Sequence, residues 1–173
     1  MKRPGTRGTY DRLLERIRRS VPGVVLRTTF IVGFPGETDA DVQELCDFIE
    51  VHGFDHVGVF TYSHEEGTSA YGLVDDVPAA AKTRRRNRVM SLQKRLVRQR
   101  LKARIGQRAR VVVDGPAADH NLVLRARLAT QAPDIDAGVY LTDCDPSHYR
   151  SGDFLEVEIV GAKDYDLLAR PIS

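Results

Sequence analysis

Residues 30–45, "FIVGFPGETDADVQEL", decide how the first half of this chain is read. An apolar run ends in Gly-Phe-Pro-Gly-Glu-Thr, and an acidic segment with helical spacing follows. Gly33 and Gly36 permit positive φ or a close backbone approach, and Pro35 stiffens the corner. Thr38 is a good N-cap, with Asp41 three residues on where a capping box carries its acid. Asp39 and Asp41 already occupy the positive end of that helix, which argues against a bound phosphate. The stretch is neither a P-loop nor G-x-G-x-x-G. Its chemistry leaves two readings open, a structural corner or a loop for a polar, amine-bearing ligand.

Working outward, "VVLRTTFIV" before the loop has the β-branched, apolar character of a buried parallel strand, and "FDHVGVFTYS" is a second strand. "TYDRLLERIRRS" is a helix with Leu13, Leu14 and Ile17 on one face and Thr9 at its start. "DADVQELCDFIEVH" places Val42, Leu45, Cys46 and Ile49 on one face and ends at Gly53. The order α-β-α-β implies parallel strands with crossover helices. Two such strands make an incomplete sheet. Either another chain supplies the remaining strands, or residues 1–80 are the tail of a larger α/β barrel. An exposed sheet edge would then favour self-association.

The net charge of +2 conceals an asymmetry. Residues 82–110 hold 13 Lys/Arg and no acid, whereas the remainder holds 13 bases against 24 acids. Within this segment Val89, Leu92, Leu96, Val97, Leu101 and Ile105 form an apolar stripe, so residues 81–106 read as a basic linking helix ending at Gly106. Its arginines are either a polyanion-binding face or a solvated surface. Residues 107–173 read as five short strands, "RARVVVDGP", "NLVLRARLA", "AGVYLTD", "DFLEVEIVGA" and "DYDLLARPI", split by turn residues. That pattern implies a small closed barrel of the OB-like kind.

Arg27 lies inside an apolar strand, either as an inward-pointing site residue or as an end-of-strand snorkeller. "TYSHEEGTSAY" is a loop at a barrel mouth or a simple strand exit. The five histidines show no metal or triad spacing and read as surface or turn residues. Cys46 and Cys144 make neither a metal motif nor a disulfide framework. No apolar run reaches membrane-spanning length and no apolar leader precedes the first helix, so the expected setting is cytoplasmic.

Residues 1–38, "MKRPGTRGTYDRLLERIRRSVPGVVLRTTFIVGFPGET", with "GVFTYSHEEGTSAY" and "RRRNRVMSLQKRL", resemble the methylthiotransferase family of radical S-adenosylmethionine enzymes. The resemblance covers nearly the whole chain. It implies the C-terminal part of a radical S-adenosylmethionine α/β barrel followed by a TRAM β-barrel. It also implies S-adenosylmethionine and a [4Fe–4S] cluster as cofactors of a full-length member. Arg27, Gly33, Phe34 and Glu37 match positions on the S-adenosylmethionine side. Arg84, Arg85, Arg88, Arg108, Arg110, Arg125 and Arg127 are the candidates for contact with substrate or RNA. "ARLATQAPDIDAGVYL" and "GAKDYDLLA" resemble the branch that adds a methylthio group to an aspartate of a small-subunit ribosomal protein. The alternatives are the branch that modifies tRNA adenosines, and a stand-alone RNA- or ribosome-binding module. The family's CxxxCxxC motif, whose three thiolates ligate the cluster, does not occur in this sequence. The expectation is a catalytically incomplete chain, with a separate chain as one possible source of the cluster half.

Overall fold

The computed structural model describes residues 5–117 and 120–172, with backbone alone at 120–122. The chain divides into two compact units, Met1–Leu96 and Val97–Ser173. The elements of the first are α1 (Arg7–Ser20), β1 (Arg27–Val32), α2 (Asp39–His52), β2 (His56–Thr61) and most of α3 (Ala79–Lys102).

Strands β1 and β2 pair in parallel, Arg27 opposite His56 and Val32 opposite Thr61. Alternate β1 residues diverge sharply in burial. Phe30 and Val32 face the helices, while Arg27, Thr29 and Ile31 are exposed. Phe60, across from Ile31, is 64% exposed. The expectation of a strand buried on both faces therefore holds for one face of this sheet. On the covered side Val32, Val42, Cys46, Ile49, Phe54, Val57, Val59 and Val89 form one core. Phe30 meets Phe48 and Phe54 edge-on at 6.5 and 6.2 Å.

Helix α2 starts as its sequence requires. The Thr38 hydroxyl accepts from the Asp41 amide, and the Asp41 carboxylate accepts from the Thr38 amide. Two of the helix's orphan donors are thereby satisfied. It ends on Gly53 in the left-handed region, φ 53°. Arg18 donates from α1 to the carbonyls of His52 and Gly53. Helix α1 begins at Arg7 behind Thr6, not at Thr9, and Thr6 makes no side-chain cap bond. His52 is also not a surface histidine. It is 9% exposed, with Nε2 at 2.6 Å from Asp11 Oδ1. The apolar face of α2 carries it inward, and the carboxylate satisfies its ring nitrogen.

In the second unit, β3 (Arg108–Ala117), β4 (His120–Leu128), β5 (Val139–Leu141), β6 (Phe154–Lys163) and β7 (Asp166–Pro171) close into a barrel in the order β3-β4-β5-β7-β6. All contacts are antiparallel except β5 with β7. Inward residues alternate along each strand, as closure demands. Val111, Val113, Leu124, Ala126, Leu128, Val139, Leu141, Val157, Ile159, Leu167 and Ala169 fill the interior. The ladder slips at Asp114 on β3 and at Val160 on β6, bulges of the kind that bend small barrels.

Candidate functional site

Two loops leave the carboxyl ends of the parallel strands, where ligands of α/β sheets characteristically bind. The first, Gly33–Thr38, is held from several sides. Gly33 and Gly36 take φ 77° and 78°. The Glu37 carboxylate turns back and accepts from the Gly33 amide at 2.7 Å. Asp76 accepts from the Gly36 amide at 2.8 Å. Helix α3 closes the remaining side. Arg85 donates to the Glu37 carbonyl and carboxylate, both at 3.0 Å, and to Asp39 at 2.9 Å. Burial opposes the Arg85 charge, but its bonds to Asp39 and Glu37 hold the guanidinium above its ordinary pKa.

The second loop follows β2. Tyr62 meets Phe34 edge-on with ring centroids 5.2 Å apart, and His64 lies against Tyr71 at 4.7 Å. Phe34 is 43% exposed, so the pair presents an aromatic wall beside the end of β1. Lys82, from the first turn of α3, is buried against both loops. Its Nζ reaches Asp75 at 2.7 Å and the Tyr62 carbonyl at 3.3 Å.

The anticipated site residues are thus partly gathered and partly separated. Gly33, Phe34 and Glu37 share one loop. Arg27 opens β1 at the other end of the strand, roughly 20 Å of extended chain away, and is exposed on the open sheet face. Glu37 is engaged internally, by Gly33 and Arg85. Lys82 and Tyr62 were missed, because a lysine opening a basic run reads as solvated. Its signal was the apolar sequence before it: "VPAAAK" draws the first turn of α3 inward.

The basic face of α3 is also less free than its composition implies. Arg85 serves Glu37 and Asp39, Arg88 donates to Gln43, and Arg95 pairs with Glu50 at 2.6 Å. Spaced along the helix, these arginines line up with acceptors on α2 and the loop before it. Arg84 is exposed. In the barrel Arg125 donates to the Asp136 carbonyl, and Arg127 lies 3.3 Å from Asp114. Arg108 and Arg110 are exposed, and Arg110 stacks 4.8 Å over the ring of Phe154.

The thiols do not suit a cluster. Cys46 lies in α2 and Cys144 in the other unit, and burial pushes both thiols above their ordinary pKa. A cluster needs low-pKa thiolates in a set of three or four. Among the described residues no group of three His, Cys, Asp or Glu could hold a metal ion.

Comparison with known proteins agrees with this division. Residues 105–172 match the model of the TRAM domain, which covers the five-stranded barrel. Over 168 residues, 97% of this chain, the sequence is 42% identical to the ribosomal protein uS12 methylthiotransferase RimO of Solibacter usitatus, covering 36% of that protein. The corresponding values are 44% identity over 99% of this chain and 36% of the protein for RimO of Myxococcus xanthus. For Koribacter versatilis they are 42%, 98% and 34%. The chain is RimO-like over nearly its whole length. It spans about a third of the length of the RimO relatives it matches, their C-terminal part. The RimO match runs through both the helical unit and the barrel, so the loops at the ends of β1 and β2 fall inside it. No helix among the described residues is long and apolar enough to cross a membrane.

Proposed function

We propose that this chain is the C-terminal part of a RimO-like methylthiotransferase, acting on an aspartate of a small-subunit ribosomal protein in the cytoplasm. In this reading the first unit is a late portion of a radical S-adenosylmethionine barrel. Its Gly33–Thr38 loop and the Phe34–Tyr62 pair form one wall for S-adenosylmethionine. When bound to a complete enzyme, S-adenosylmethionine and a [4Fe–4S] cluster supply the radical chemistry. The residues of this chain supply shape: an aromatic edge at Phe34, and a loop fixed by Glu37, Arg85 and Lys82. The cluster thiolates have to come from sequence outside these residues, so the chain alone is inactive.

The observation that carries the ribosomal-protein substrate is the charge of the barrel. Residues 107–173 hold seven Lys/Arg against eleven Asp/Glu, a net charge of −4. Nucleic-acid binding rests on phosphate neutralisation by clustered cations. An acidic barrel instead suits a basic polypeptide. The relatives it resembles carry uS12, a ribosomal protein, in their names. Arg110 stacked on the 64% exposed Phe154 favours a second reading, in which the barrel stacks on RNA bases. Fluorescence anisotropy with the full chain distinguishes them. Labelled uS12 should bind, with affinity falling as salt rises, while tRNA at the same concentrations should not. Saturable tRNA binding with no uS12 binding would favour the RNA reading and reject the first.

A further inference from the structure

Lys82 is 8% exposed, a position a lysine holds only when its ammonium is partnered. Its stem lies against Gly33: a Cβ built on that glycine would stand 2.4 Å from Lys82 Cγ. Its Nζ donates to Asp75 Oδ2 at 2.7 Å and to the Tyr62 carbonyl at 3.3 Å, and lies 5.0 Å from the centre of the Tyr62 ring. One side chain therefore touches both loops at the carboxyl ends of β1 and β2. The residue after Gly33 is Phe34, whose ring meets that same Tyr62 at 5.2 Å.

We propose that Lys82 is the positioning residue of this aromatic wall. It fixes the Phe34–Tyr62 pair by bearing on Gly33 with its stem and on Tyr62 with its ammonium. Gly33 must be glycine on two counts: its φ of 77° disfavours any side chain, and the lysine stem already fills the space a Cβ would need. The compact ammonium suits Asp75, a carbonyl and a ring face at once, where a planar guanidinium would need different geometry. Arg85 holds the far end of the loop at Glu37 and Asp39, so the two cations of α3 divide the task. The proposal rests on the wall being the S-adenosylmethionine side, but its primary test does not.

That test is aromatic NMR on the full chain, reading cross-relaxation between the Phe34 and Tyr62 rings. Lys82→Met keeps most of the stem and removes the ammonium. Asp75→Asn leaves Lys82 intact and removes its charged partner, and it serves if Lys82→Met does not fold. Ile49→Val, in the α2 core, is the control for general destabilisation. The Phe34–Tyr62 cross-peaks should vanish or weaken in both site variants and persist in Ile49→Val. Unchanged cross-peaks in Lys82→Met, or in Asp75→Asn if that alone folds, would overturn the proposal. A calorimetric titration with S-adenosylmethionine is the second readout. If the unsubstituted chain binds it, the site variants should bind roughly tenfold more weakly, and Ile49→Val should bind as the parent does. If the unsubstituted chain fails to bind it, the ligand reading falls, and the ring measurement still decides the role of Lys82.

Discussion

Arg85 Nη1 stands 3.0 Å from Glu37 Oε1, and both side chains are nearly out of water, at 12% and 13% exposure. The pair joins the basic helix to the glycine loop, two stretches that look unrelated in sequence. An ion pair this enclosed stabilises little against two apolar groups, but removing one partner strands the other. Arg85→Met should therefore lower the stability of the first unit by about 2 kcal/mol. The double variant Arg85→Met/Glu37→Gln should cost less than the sum of the single changes. Urea unfolding followed by helical circular dichroism measures both, and strict additivity would show that the pair is not coupled.

The capping box of α2 predicts a pH effect with a definite sign. Bonds from the Thr38 hydroxyl and amide hold the Asp41 carboxyl below its ordinary value. A carboxylate with a depressed folded pKa adds stability that is present above its unfolded value of about 4 and is lost as pH falls through the folded one. Thr38→Ala should move the Asp41 pKa up toward that ordinary value, as read by carbon NMR titration. It should also cost about 1 kcal/mol near neutral pH. An unmoved Asp41 titration would mean the box does not form in solution.

The barrel core makes its own prediction. Leu167 is 1% exposed among Val139, Val157, Ile159 and Ala169. Leu167→Ala should lower barrel stability by roughly 2–5 kcal/mol, depending on how far the cavity collapses. Amide hydrogen exchange should show the loss of protection in β3 to β7. Loss confined to β7 would indicate a fraying strand and not a shared core.

The arginine contacts predict how little Arg95 contributes to polyanion binding. Arg85, Arg88 and Arg95 are committed to α2 and the loop before it. Arg95→Ala should therefore leave the salt dependence of any RNA association unchanged, in filter binding across a salt series. A slope that falls by about one phosphate contact would place Arg95 in an RNA interface.

Much of this was legible in sequence, and the exceptions have physical reasons. Thr38, Asp41 and Gly53 marked both ends of α2, because caps and left-handed glycines act over three or four residues. The five barrel strands were visible because alternation and turn residues are equally local. The internal partners of Lys82, Arg85 and His52 were not legible in sequence. Each of the three is a polar residue buried by a partner far along the chain: Asp75 and Tyr62, Glu37 and Asp39, and Asp11. Residue type assigns such side chains to the surface, although His52 and Lys82 stand at helical spacing from the buried Ile49 and Val89. The bond from the Gly33 amide to Glu37 was equally hidden, because an acid in a glycine loop does not announce which backbone donor it will take.

The proposed C-terminal role in a uS12-modifying methylthiotransferase is testable by transplantation. The direct test replaces the matching C-terminal third of Myxococcus xanthus RimO with this chain. The cluster-loaded chimera is then incubated with S-adenosylmethionine, reductant, and either uS12 or tRNA, and the products are analysed by mass spectrometry. The expected product is a methylthio group on an aspartate of uS12, with none on tRNA. A folded, cluster-loaded chimera that leaves uS12 unmodified, or that modifies tRNA instead, would contradict the proposed role.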